Sequence, residues 1–188
     1  GHSSSAIRYE DDTAVALITG NPTMADTNAL FSSAHANISS DTGTPDVDAI
    51  HLALAKLAAQ TGLKGERLNL RPAFIFASFK EYVAARQTLA PIGTDMLPTT
   101  GAAVAIPEAK GLQILWDERL NDGSGISDWY VIADPSQIAG IYYGGLEGDP
   151  SPRLSMDVEF NTDGMVWKLI HDFYAELADY RWIVQTTD

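Results

Sequence analysis

Apolar positions fall at helical spacing in the first half of the sequence and in short or alternating runs in the second. Over 7–19, Ala14, Val15, Leu17 and Ile18 follow three acids, a short helical pattern that Gly20-Asn21-Pro22 stops. Ile50, Leu54 and Leu57 fall at i, i+4 and i+7, which predicts a helix over 45–61. Thr44 suits its N-cap, Pro45 its first position, Asp46 its dipole and Gly62 its C-terminal cap. Ala73-Phe74-Ile75-Phe76-Ala77, after Pro72, reads as a short buried strand, and Tyr82, Val83 and Leu89 resume helical spacing over 79–89. Helix, buried strand and helix in succession indicate a layered α+β or α/β unit.

After a loop-like stretch at 90–110 the chain turns to strands, expected at 112–116, 129–133 and 138–143, with a turn at Asp134-Pro135-Ser136. Asp163-Gly164 is a two-residue type I′ hairpin signal. With that turn, Phe160 faces Trp167, Val158 faces Leu169 and Leu154 faces Phe173, while Glu159 faces Lys168 as a cross-strand charge pair. A last strand is expected through Tyr180, Trp182 and Val184. The connection at 21–44, rich in Ser, Thr, Asn and Gly around Ala29-Leu30-Phe31, is long for a compact domain, and such connections usually serve a purpose. Residues 1–5 read as a tag remnant or a disordered terminus.

Composition narrows the partners. Twelve Lys and Arg against 25 Asp and Glu leave a formal charge of −13 over 188 residues. Such a chain has no general attraction to phosphate backbones or anionic lipids, so neither specific nucleic-acid binding nor a membrane partner is expected. No apolar run approaches the roughly 18 residues of a spanning helix. No basic segment followed by an apolar run marks a secretory leader, and the absence of cysteine fits an intracellular origin. With no thiols, disulfides and thiolate chemistry are excluded.

Candidate chemistry is sparse. The histidines are His2, His35, His51 and His171; none has the spacing of a metal pair, and a structural or exposed histidine is the simpler reading of each. His171 and Asp172 are neighbours on an expected strand, so they point to opposite faces and form no dyad there. Gly123-Ser124-Gly125 lacks the context of a nucleophile elbow, and Gly144-Gly145-Leu146-Glu147-Gly148 lacks the Lys-Ser/Thr of a phosphate loop. The 121–128 loop does not meet the calcium-loop pattern. Acids at Glu10-Asp11-Asp12 and Asp117-Glu118 could supply a carboxylate pair for a hydrolase. Trp116, Trp129, Tyr142 and Tyr143 could present rings to a ligand from a binding module, although in strands most read as core. No catalytic residue, cofactor site or metal site is assigned.

Four stretches, in order, carry a resemblance. They are Asn21-Pro22-Thr23-Met24-Ala25-Asp26 with Ala29-Leu30-Phe31 and His35-Ala36-Asn37; the capped helix with Gly62-Leu63 and Leu70-Arg71-Pro72-Ala73-Phe74; Trp129-Tyr130-Val131-Ile132-Ala133-Asp134-Pro135 with Ile138, Tyr142 and Leu146-Glu147-Gly148; and Thr162-Asp163-Gly164 with Lys168, Asp172-Phe173, Asp179 and Arg181-Trp182. Together they resemble the major capsid (head) protein of tailed bacteriophages, of the Mu-like prophage major head subunit type.

The resemblance implies an α+β, phage-capsid-like fold with a sheet-and-helix axial domain and a peripheral domain carrying a β-hairpin. Residues 45–149 would be axial-like, and 6–44 with 150–188 peripheral-like. It implies no enzyme activity and no cofactor, but a structural virion protein, assembled in the bacterial cytoplasm, that associates into pentamers and hexamers of an icosahedral shell. Scaffold, portal and prohead protease would be its partners. Family members carry an N-terminal arm, an extended loop and most of a spine helix ahead of the Asn-Pro motif, where this sequence has 20 residues. A truncated or core fragment is therefore expected, monomeric or a small oligomer at low ionic strength.

Overall fold

The computed structural model describes residues 2–40, 43–89, 111–121, 128–145, 152–159 and 164–187. The loop expected at 90–110, the tip at 122–125, most of the candidate calcium loop, Leu146 to Gly148 of the glycine run and Asp163 lie outside them. In chain order the elements are α1 (His2–Thr19), β1 (Ile38–Ser40), α2 (Val47–Ala58), β2 (Pro72–Ala77), α3 (Phe79–Leu89), β3 (Gln113–Trp116), β4 (Trp129–Ala133), β5 (Ile141–Gly145), β6 (Arg153–Glu159), β7 (Gly164–Ile170), β8 (Phe173–Leu177) and β9 (Ile183–Thr187). A short 3-10 helix, Glu118–Leu120, follows β3.

The chain forms two compact units, 1–20 with 141–178 and 21–140 with 179–188. The second is built on a five-stranded sheet ordered β1-β9-β4-β2-β3. β9 runs antiparallel to β4 and parallel to β1, and β2 runs antiparallel to β4 and parallel to β3. Central registers such as Ile75 opposite Val131 and Val131 opposite Val184 stack apolar side chains that are fully buried. Each such side chain contributes about 1.5–3 kcal/mol relative to exposure. Helix α2 packs across this sheet through Ile50, Ala53, Leu54 and Leu57. Pro72 opens β2, where a missing N–H costs least, and the register shifts between it and Phe74.

In the first unit β5 pairs with β8, and β6 with β7. β8 alternates strictly: Phe173, Ala175 and Leu177 are partly covered, Tyr174 and Glu176 exposed. α1 packs against β8, with Tyr9 edge-on to Phe173 at 5.4 Å between ring centres.

Several expectations need correcting. The axial-like and peripheral-like ranges do not match the compact units: 21–44 joins the larger unit because Leu30 and Phe31 are buried there and β1 pairs with β9. Ile141–Gly145 fall in the smaller unit, where β5 pairs with β8, and Ile183–Thr187 return to the larger one as β9. Residues 2–5 belong to helix α1, since nothing between Gly1 and Ile7 breaks a helix. Helix α2 is capped by Asp46, whose carboxylate accepts from the Ala49 N–H at 2.8 Å, and not by Thr44; at its other end the cap is Ala59, and Gly62 instead closes a turn by donating to the Glu66 carbonyl.

The hairpin exists in a different register. Glu159 pairs with Gly164, Ser155 with Lys168, Met156 with Trp167 and Leu154 with Leu169, so Glu159 and Lys168 are not cross-strand partners. Gly164 opens β7 rather than sitting with Asp163 in a two-residue turn. The displacement is four residues, an even number, and an even shift leaves the in-and-out alternation intact; hydrophobic pattern cannot tell the two registers apart. Phe173 belongs to β8 opposite Gly145, and His171 and Asp172 lie between strands rather than on one.

Gly140 lies against the Trp182 indole, where an added Cβ would sit 2.5 Å from the ring. Trp182 is buried and held by the strand behind it, so it has little room to yield. Gly140→Ala should lower stability by about 1–3 kcal/mol, the usual cost of overpacking. Urea denaturation checks this; an unchanged midpoint would show that the loop before β5 relaxes freely.

Candidate functional site

Among the described residues a dense set of polar side chains lies in the 21–37 connection. Asn21, in the left-handed region at φ 43°, brackets the Phe31 backbone: its Oδ1 accepts from the Phe31 N–H at 2.7 Å and its Nδ2 donates to the Phe31 carbonyl at 3.3 Å. Asparagine tolerates that conformation better than most residues, which accounts for its place before Pro22. Asn37, fully buried, donates to the Leu30 carbonyl at 2.8 Å and accepts from the Ser32 N–H at 3.3 Å.

His35 meets an acceptor at each ring nitrogen: the Leu30 carbonyl 2.9 Å from Nδ1 and Asp26 Oδ2 2.7 Å from Nε2. The ring stacks on Tyr180 at 3.7 Å and 6° between planes, and the Arg181 guanidinium lies 4.5 Å from the Tyr180 ring centre. The hydrogen bond to His35, with Asn28 beside it, draws the Asp26 carboxyl down to about 2. A cleft of about 400 Å³ opens beside His35, lined also by Lys56, Gln60, Thr61 and Tyr180. The Gln60 amide donates to the His35 carbonyl at 3.2 Å. His35 and Asp26 have the geometry of a dyad, but most of the cluster's other hydrogen bonds join a side chain to a backbone group. The cluster fixes the path of a segment without regular structure.

The other sequence candidates are dispersed. His51 is exposed on α2. His171 is nearly buried in the smaller unit, where its Nε2 lies 2.5 Å from Glu10 Oε1. Glu10 also takes a hydrogen bond from Tyr143, and Tyr143 first and His171 second hold its carboxyl below the ordinary range. Asp117 caps the short helix after β3 and pairs with Arg119, which lowers its carboxyl in turn. Glu118 accepts from the Asn121 amide at 2.7 Å. Glu10, Asp117 and Glu118, candidates for hydrolase chemistry, thus each meet a structural partner. Among the described residues no group of three His, Asp or Glu could hold a metal ion.

The aromatics depart from expectation. Only Trp129 is core; Trp116 is 53% exposed, Tyr142 62% and Tyr143 58%. Trp116 ends the edge strand β3 and meets Phe79 of α3 edge-on at 5.2 Å, while Phe79 stacks near Tyr82 at 6.0 Å. These rings, with Val83, Arg86 and Gln87, line an open groove of about 570 Å³. A strand at 113–116 was legible in the sequence; that it is the edge strand among the described residues, with Trp116 exposed, was not.

The phage capsid protein family model matches residues 1–186, and the chain belongs to that family. No curated protein matches. Among solved structures the chain is similar to the SrpI encapsulin of Synechococcus elongatus PCC 7942, from the cryo-electron microscopy structure of the holo-SrpI encapsulin complex. The TM-score is 0.51 at 12% identity, over 96% of this chain and 63% of that one. At that identity the likeness establishes the fold, which is capsid-like, and the chain spans under two thirds of the encapsulin's length.

Two tests address the polar cluster. Because the Asp26 carboxyl is lower in the folded chain than the ordinary 3.8, its contribution is complete above about pH 4 and is lost as pH falls through about 2. Asp26→Asn should therefore flatten the urea-midpoint-against-pH curve between pH 4 and 2, and an unaltered slope there would mean the pair adds nothing. Asn37→Ala should cost about 1–3 kcal/mol by leaving the Ser32 N–H without its acceptor, measured by denaturant unfolding at pH 7.

Proposed function

We propose that this chain is a structural subunit of an icosahedral shell, the head of a phage or prophage of the Mu-like major head type, and that it catalyses no reaction. The observation that carries the reading is the family match along 1–186, supported by the encapsulin fold likeness over nearly all of the chain. The larger unit, with its five-stranded sheet, would serve as the axial domain, and the smaller unit, with the β6–β7 hairpin, as the peripheral one. Self-association into pentamers and hexamers would be its main interaction, with scaffold, portal and prohead protease as assembly partners and the virion as its location.

The exposed surface supports this. Leu63 is 92% exposed and Met156 54%, while Leu154, Tyr174 and Trp116 are each about half exposed or more. Apolar side chains this open in one protomer are what lateral contacts between subunits cover. The same rings would suit a ligand-binding module, but no enclosed pocket among the described residues gathers them.

Association should depend on salt. Copies carrying −13 repel at low ionic strength, and the screening length falls from about 10 Å at 0.1 M to about 3 Å at 1 M. Sedimentation velocity with negative-stain microscopy should show the weight-average mass rising with salt and closed or ring-like particles appearing. A chain that stays monomeric at every salt and protein concentration would contradict the reading.

A further inference from the structure

Two exposed aromatic surfaces, one in each compact unit, carry charged side chains of opposite sign, Arg86 on one and Glu176 on the other. The first is the groove between α3 and the end of β3 in the larger unit, walled by Phe79, Tyr82 and Trp116. Arg86 stands at its side, donating to the Tyr82 hydroxyl at 3.2 Å with its guanidinium 5.8 Å from that ring centre. The second is the outer face of the β5–β8 sheet. The inner face of that sheet carries Phe173 and Tyr143 against α1; the outer face presents Tyr142 opposite Glu176 and Gly144 opposite Tyr174. Tyr142 and Tyr174 are 62% and 58% exposed, and the space a Cβ of Gly144 would occupy is open. The Tyr174 hydroxyl donates to Glu176, so ring and carboxylate form one fixed pair. Charge is distributed unevenly as well: 1–20 with 141–178 holds three basic and ten acidic residues, more than half of the −13 in under a third of the chain.

We propose that the α3–β3 groove is a subunit contact whose occupant is the outer β5–β8 face of a second copy of this chain, with Tyr142 and Tyr174 against Phe79, Tyr82 and Trp116 and with Glu176 paired to Arg86. The proposal rests on the shell-subunit reading and gives it a surface. A second copy is favoured because the aromatic groove with Arg86 and the aromatic face with Glu176 both lie on every copy. Since they are different patches, the contact is head-to-tail, the type that builds rings when its rotation closes. Aromatic pairs at about 4.5–7 Å and a desolvated Arg–carboxylate pair would supply the anchors of such an interface.

Charge reversal tests the pairing, with sedimentation velocity read at one moderate salt concentration and thermal melts as the folding control. Arg86→Glu and Glu176→Arg should each weaken self-association about tenfold or more, since like charges then face each other. The double variant, with the pair inverted, should recover to within about threefold of the original. In an equimolar mixture of the two single variants every junction between unlike copies is matched, so association should recover where each variant alone fails. Trp116→Ala should weaken association without lowering the melt. If the original chain associates and neither reversal matters, the contact is wrong while the shell-subunit reading stands. If Arg86→Glu weakens association and Glu176→Arg does not, the groove takes another surface or partner and the proposal falls. An original chain that never associates overturns both.

Discussion

Strand β9 lies between β1 and β4, parallel to one and antiparallel to the other, so two of the four seams of the larger sheet run through the five residues Ile183–Thr187. Ile183 and Val184 are fully buried, α2 packs on this strand, and the Gln185 N–H donates to the Asn37 carbonyl at 2.9 Å. Without β9, β1 has no strand partner among the described residues, and the covering helix loses part of its floor. Everything between β4 and β9 must therefore leave the sheet and return to it, and residues 141–178 do so as part of a compact unit of their own.

The polar cluster around His35 belongs to the same economy of structure. Residues 21–37 contain little regular structure, so their backbone groups need other partners. Asn21, Asn37 and His35 supply them, and the Tyr180 ring stacked on His35 and the Tyr180 carbonyl near Asn37 tie the segment to the approach of β9. A histidine–carboxylate pair that could pass for catalytic machinery is in this chain a tie for a segment without a ladder of its own. The rings of Trp116, Tyr142 and Tyr174, by contrast, stand open to solvent and tie no segment down.

Much of this was legible in the sequence. The Ile50, Leu54 and Leu57 stripe marked α2, the run after Pro72 marked β2, and Phe79 to Leu89 marked α3, because periodicity is a local property. The motif Asn21 to Asn37 pointed to the family before its hydrogen bonds were seen. What local pattern could not convey was pairing between distant segments. β9 meeting β1 is a contact across nearly 150 positions, and it moved the unit boundaries away from 44 and 149. The hairpin register failed for a related reason, since a four-residue slide preserves alternation. The aromatic residues failed differently: a strand's outer neighbour decides whether Trp116 is core or surface, and a single-chain pattern does not contain that neighbour.

Native-state hydrogen exchange addresses the role of β9 most directly. If the strand secures the larger sheet, the amides of Val184 and Gln185 should exchange at the slow rate shared by Val131 of β4 and the middle of α2, all opening as one cooperative unit. If β9 instead exchanges quickly while β4 and α2 remain protected, the sheet stands without its last strand, and β9 is not what holds the larger unit together.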